Sequence, residues 1–182
     1  DAFSALPFHP ERKISVAELD AAKKIKWSGT KEFKRAPGMA FYFPAIYSVH
    51  ALALGIGEHL DLSVDGSYKL TRLMILLAVC CLLYGSFRLY PPSYLVLALL
   101  LIPMSLFQFS SASLDGIATA LSIFIVSAFL RIATDKEHSA VWIFYVLVVV
   151  WLIVASSRVQ QFSLIILVVR ISLNVTGGFA KA

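Results

Sequence analysis

Between Arg72 and Arg131 the chain carries only two charges, Arg88 and Asp115, and that spacing limits what the chain can become. A helix needs about 20 apolar residues to cross the hydrocarbon of a bilayer. The charge-free stretch 73–87 lies between two arginines that can snorkel to the interface, which predicts a span over 68–90. Pro91-Pro92 breaks the chain there. No charge occurs again until Asp115, so a second span is expected over 93–109, kinked at Pro103. A third is expected over 114–133, with Asp115 at its start and Arg131 at its end, an order that suits the helix dipole. The polar loop 134–138 precedes a fourth span over 139–157. A fifth, over 159–169, crosses only if Arg170 snorkels and the helix runs on towards Val175.

Composition agrees with this reading. Hydrophobic residues make up 59% of the 182 positions and charged residues 15%. Soluble domains usually carry about a quarter charged residues. Polarity is concentrated at the start, where residues 1–40 hold eight of the sixteen Lys/Arg and five of the eleven Asp/Glu. The expected class is all-α, a polytopic transmembrane helical bundle of about five spans plus an interfacial helix. Its parts are a polar extracytoplasmic segment over 1–40, an interfacial or re-entrant helix over 41–60, and the bundle over 61–182. Asp1 stands where no initiator Met or signal core is found, so the chain reads as a piece of a larger protein.

Several chemistries find no pattern to stand on. Cys80 and Cys81 are adjacent in an apolar helix, where neighbours point in different directions, so they read as structural thiols. The four histidines lack metal-ligand spacing, and no phosphate loop, dinucleotide fingerprint or zinc signature is present. The net charge of +5 suits anionic lipid or a polyprenyl phosphate better than nucleic acid, because no basic module interleaved with aromatics accompanies it.

The candidate site residues are polar groups at hydrocarbon borders, which are costly to keep there. Asp115, Thr119 and Ser122 share one helix face, a polar stripe descending from a carboxylate, while Ile117, Leu121 and Phe124 are expected to meet lipid. Asp115 can position a substrate hydroxyl, bind a divalent cation or act as a general base; equally, with Ser113, it can cap the helix. Arg158 and Arg72 can each hold a lipid phosphate or snorkel to headgroups. Gln160 can hydrogen-bond a polar ligand or solvate its loop. Tyr42 and Tyr47, flanking Pro44, can wall a groove or anchor the interface. His50 reads first as a packed polar residue and second as a base.

Certain stretches have a familiar order: Tyr42-Phe-Pro-Ala-Ile-Tyr47, then Gly55-Ile-Gly57, Tyr68-Lys-Leu-Thr-Arg72, Ile102-Pro-Met-Ser-Leu-Phe-Gln108, Ser110-Ser-Ala-Ser-Leu-Asp115 and Ser156-Ser-Arg158. Over about 38–170 the chain resembles the bacterial polytopic membrane proteins called domain of unknown function 2142, which in turn look like GT-C glycosyltransferases. The resemblance implies sugar transfer from a polyprenyl-phosphate donor to a cell-envelope glycan at the outer face of the cytoplasmic membrane. It implies external placement of residues 1–60, Ser110–Asp115 and Ser156–Gln161. Such enzymes carry an acidic residue after a first span; that span is absent here, and Asp1 is the only remnant such a motif would leave. His50 stands where the resemblance leads one to expect glutamine. Counted whole, the basic residues favour the opposite orientation, eleven against five. The alternative is a non-enzymatic transporter, or an integral subunit of an envelope-assembly complex.

Overall fold

A computed structural model describes residues 15–29, 44–134, 140–157 and 163–170. Among them every regular element is helical, and the only sheet-like contact is an isolated bridge between Lys26 and Ser63. The helices are α1 (Val16–Lys23), α2 (Ser48–His59) after a 3-10 turn at Pro44–Tyr47, α3 (Val64–Leu89), α4 (Tyr94–Leu100), α5 (Pro103–Ser110), α6 (Leu114–Thr134) and α7 (Ala140–Ser157).

Two helices, α3 with 26 residues and α6 with 21, are long and apolar enough to cross a membrane. Only 22% of the apolar window of α3 is buried, and 39% of that of α6. A helix in the core of a soluble protein would be mostly covered. Here Leu73, Leu77, Val126, Trp142, Tyr145 and Leu152 are all exposed. A contiguous apolar band on that scale is not stable against water and calls for lipid. The described part of α7, Trp142–Ser156, is apolar but shorter.

α3 begins earlier than the hydrophobic pattern alone predicts, because Ser63 caps it through the Gly66 amide at 3.1 Å and Asp65 bridges to Lys69 at 2.7 Å. At its far end Arg88 donates to the Tyr84 hydroxyl at 3.0 Å and lies over that ring. The buried face of α3 is Ser67, Thr71, Ile75, Val79 and Ser86. Its three hydroxyls would be costly in an apolar interface, and each bonds a carbonyl one turn back: Ser67 to Ser63, Thr71 to Ser67 and Ser86 to Leu82.

The single span expected over 93–109 is two short helices instead. Pro103 occupies the first turn of α5 and has no amide to continue α4. The freed Leu99 carbonyl is taken by the Ser105 hydroxyl at 3.0 Å, so the break leaves no orphan there. Chain leaving α3 at Tyr90 is back beside Arg72 at Ser110. The α4–α5 pair therefore recovers the rise of Arg72–Leu89, about 25 Å at 1.5 Å per residue. As a result α6 runs parallel to α3, with Gly85 beside Phe124 and Arg72 beside Ser110. α7 returns antiparallel and packs Leu147, Trp151 and Val154 against Ile125 and Ala128 of α6.

α2 has twelve residues, about 18 Å, and is too short to span. It crosses α3 closely enough that a Cβ on Gly57 would lie 2.4 Å from the Ser67 hydroxyl. The charged segment 15–29, read from sequence only as part of a polar segment, contains a helix. Ser15 and Glu18 form a reciprocal capping box that starts α1. Beyond α1 the chain docks on the α2–α3 corner, where Trp27 Nε1 donates to the Ser67 hydroxyl at 3.0 Å and Lys26 pairs with Asp61.

Asp61 is the one described non-glycine residue with positive φ, at 52°. The amides of Asp61 and Leu62 bond back to Glu58 and Gly57, closing α2 in the geometry where glycine is usual. The left-handed conformation costs about 1 kcal/mol for a side chain, and an exposed ion pair returns about as much at most. Asp61→Gly should therefore leave the unfolding midpoint nearly unchanged. Asp61→Val, which loses the pair and adds a β-branch, should lose about 2 kcal/mol by thermal melting in detergent.

Candidate functional site

The sequence of α6 sets one pole of the bundle. Its first turn carries Asp115, half-buried, directly after the turn Ser111–Ser113, whose two serine hydroxyls lie 2.8 Å apart. Gly116 lets this turn close: a Cβ there would sit 2.6 Å from the Gln108 carbonyl oxygen. The end of α5 is thus held against the start of α6. The Ser110 carbonyl is presented to Arg72, whose Nε donates to it at 2.8 Å. A guanidinium has five N–H donors, and this bond uses the one on Nε. Lys69 lies one turn back on α3 and lines the same shallow cleft of about 170 Å³ with Arg72, Leu73, Leu76 and Ser110. Sequence pattern alone does not place Lys69 here. Its i, i+3 spacing from Arg72 is a readable signal, but its meaning depends on Ser110, distant in sequence.

Tyr47 and His50 reach this pole from the other side. Ile46 of the 3-10 turn is buried with Ile75, Phe109 and Ile117, and Tyr47, Ala112 and Leu114 pack on that cluster. His50 meets the Tyr47 ring edge-on at 6.2 Å between centroids. Among the described residues neither ring nitrogen makes a hydrogen bond of good geometry. Burial pushes its pKa below the ordinary 6.5, against a smaller opposing pull from the Ala112 backbone. A folded-state pKa below the unfolded one means that the unfolded chain binds the extra proton first, so stability falls as pH drops below 6.5. The slope should approach, and not exceed, about 1.4 kcal/mol per pH unit. In His50→Gln this dependence should vanish, as read from melting midpoints across that range.

Tyr47, His50, Arg72, Ser113 and Asp115 are therefore gathered at one end. Tyr42, Arg158, Gln160 and Asp1 lie outside the described residues. The polar stripe of α6 divides. Thr119 and Ser122 do line a cavity of about 420 Å³, but it opens on the side below Asp115, between α6 and the break at Tyr90–Ser93, with Val96, Ile123, Val126, Ser127 and Leu130 completing it. Ile117, Leu121 and Phe124, expected to meet lipid, instead pack inward: Ile117 is 5% exposed within the core cluster, Leu121 packs on both clusters, and Phe124 lies against Gly85. The core face of α6 is small and apolar, and the hydroxyl face looks sideways.

Electrostatics at the two ends differ. α3 and α6 run parallel and both start towards the Asp115 end, so the partial positive charge of the α6 N-terminus lies beside Arg72 and Asp115. Lys69 is already paired with Asp65, which leaves the Arg72 guanidinium as the cation of the cleft. No three His, Cys, Asp or Glu side chains converge among the described residues, so they do not provide a divalent cation with a ligand set.

No curated protein and no solved structure matches the chain. A family match does cover nearly all of it, residues 7–181, and the description of that family, a predicted membrane protein, agrees with the lipid-facing helices. The chain belongs to the domain of unknown function 2142 family of membrane proteins.

Proposed function

We propose that this membrane protein handles a polyprenyl-phosphate-linked sugar at the Asp115 pole, as a GT-C-like glycosyltransferase of the bacterial cytoplasmic membrane, with about five spans once α4–α5 and the segment after Ser157 are counted. The observation that carries the reading is Arg72, held by its bond to the Ser110 carbonyl and sharing a cleft with Lys69 beside the start of α6. Phosphate is the anion that such an array of oriented donors suits. Asp115 would take the proton of the acceptor hydroxyl as it attacks the sugar, and Arg72 with Lys69 would stabilise the departing lipid phosphate. Arg158 and Gln160, which follow α7 in sequence, would add donors, Tyr42 and Tyr47 a wall for the sugar, and an acidic residue such as Asp1 a second carboxylate.

A donor of this kind is used on the outer face, so the Asp115 pole must be external. Ser113→Cys should react with a membrane-impermeant maleimide added to intact cells. Cys80 and Cys81 sit mid-helix on the lipid face and should remain silent. Protection of Ser113→Cys, with labelling only after lysis, would sink the orientation and the proposed reaction with it. One observation favours the transporter alternative: the broken α4–α5 pair resembles the discontinuous helices that transporters place at a substrate site. Those helices come in pairs related by an internal repeat, and among the described residues there is one.

A further inference from the structure

We infer that the cavity between α6 and the break after α3 is a binding site for an uncharged long-chain carbonyl compound of the quinone class, held by the hydroxyls of Thr119 and Ser127. This does not depend on the sugar-transfer reading. The breaks at Pro91-Pro92 and Pro103 leave α4 without a buried residue, and the space beside it, about 420 Å³, has the size of a ligand site.

Two hydroxyls in its wall differ from the others in the bundle. Ser67, Thr71, Ser86 and Ser122 each bond a carbonyl one turn back, the ordinary solution for a hydroxyl in an apolar helix. Thr119 and Ser127 line the cavity without such a bond, and among the described residues neither has a partner. Ser127 is nevertheless only 7% exposed. Hydroxyls kept from water are costly unless paired, so these two call for acceptors from outside the chain.

Depth and spacing select the occupant. The 21 residues of α6 rise about 31 Å, close to the thickness of the hydrocarbon core. Thr119 lies about 8 Å inside one end of the helix and Ser127 about 10 Å inside the other. At that depth a glycerolipid offers only its chains, because its ester groups lie in the interfacial region. No charged residue lines the cavity, so a charged ligand group is disfavoured too. An uncharged acceptor that dissolves in the bilayer interior meets both conditions. Thr119 and Ser127 stand on one face, about 12 Å apart along the axis, with Ile123 between them. Two O–H···O bonds of about 2.8 Å, with a six-membered ring and its para carbonyls between them, fill that distance. Pro92, Val96 and Ile123 give the ring apolar walls, and the open side passes its chain to lipid.

The test uses the purified full chain in detergent with decylubiquinone carrying isotope-labelled carbonyls, read by infrared difference spectroscopy. The expected result is a carbonyl band moved to lower frequency by hydrogen bonding and saturating at one quinone per chain. Thr119→Val with Ser127→Ala removes both hydroxyls with little change of shape. That variant should fold, lose the shifted band and bind about ten-fold more weakly, the order of one or two net hydrogen bonds. An analogue with C–H in place of both carbonyls should bind the two proteins equally. Ser122→Ala should change nothing, because that hydroxyl already donates to Ala118. Carbonyl-labelled phosphatidylcholine, run in parallel, should show no band that the double variant removes. An unshifted quinone band in the unaltered chain, or the same shift in the double variant, would overturn the site. So would a phosphatidylcholine band lost in that variant, which gives the hydroxyls to bulk lipid, or the absence of saturable binding, which leaves them to water.

Discussion

Gly116→Val should abolish recovery of folded protein from the membrane, and Gly116→Ala should cost about 3 kcal/mol. Two effects oppose each other in the alanine variant. Replacing glycine inside a helix gains about 1 kcal/mol of backbone entropy and propensity. Against it, the new Cβ would lie 2.6 Å from the Gln108 carbonyl oxygen and 3.2 Å from the Phe109 Cα. Both are backbone atoms, and backbone cannot swing aside as a side chain does. Overpacking typically costs about 1–3 kcal/mol, and a contact with main chain belongs at the upper end. The second methyl of valine adds to the collision and to χ1 restriction. Gly55 supplies the control, since a Cβ there meets nothing within 4 Å. Gly55→Ala should raise the melting midpoint, by up to about 1 kcal/mol, while the same change at Gly116 lowers it. Equal signs at the two positions would show that the α5–α6 junction is looser than its geometry requires.

Asp115→Asn should leave folding intact and reduce the proposed sugar transfer by about 10²- to 10⁴-fold, the usual contribution of a positioned general base. Asparagine matches the carboxylate in shape and keeps most hydrogen bonds a helix-start residue makes, but it cannot accept a proton at neutral pH. The substitution therefore separates the two readings of this residue. A capping group would tolerate asparagine, one of the favoured capping residues, with no effect on turnover. Arg72 needs a different comparison, because its bond to Ser110 also holds α3 to the α5–α6 turn. Arg72→Lys retains the charge without the planar fork and should fold, with weakened handling of the phosphate. Full activity in both Asp115→Asn and Arg72→Lys, measured as glycan modification by the full-length protein, would move the chemistry elsewhere.

The parts of the fold that local pattern can reach are those bounded by charge. α6 covers the interval that Asp115 and Arg131 mark out and runs three residues past it, and α7 fills the apolar run after 134–138. Pro103 announces a disturbance, but a kink and a full break share that signal; here Ile102 is extended, with ψ at 138°, and two helices result. α1 escapes the hydrophobic pattern because its composition is charged and its apolar face negligible, although Ser15 and Glu18 stand at capping-box spacing. The inward packing of Ile117 is unreadable for another reason. Cost in lipid argues for polar residues inside, yet the interior of this bundle is built from close approach of small residues, and the hydroxyls of Thr119 and Ser122 serve a lateral opening. At the candidate site the residue types are legible one by one. Their assembly, with Arg72 meeting Ser110 and His50 meeting Ala112, links positions dozens of residues apart, and no local periodicity encodes such meetings.

The broken return between α3 and α6 bears on how the protein is made. A translocating chain partitions into lipid one segment at a time, and each candidate is weighed by its own hydrophobic length. α3 passes that test alone. Neither α4, at seven residues, nor α5, at eight, can hold its position in the bilayer before α6 arrives to receive it. The segment from Ser93 to Ser110 must then wait, in the translocation machinery or against α3, until synthesis has reached the middle of α6. Two parallel helices joined by such a segment are committed to their orientation late and together, and nascent chains stalled between these two moments would be the ones the cell most readily misplaces.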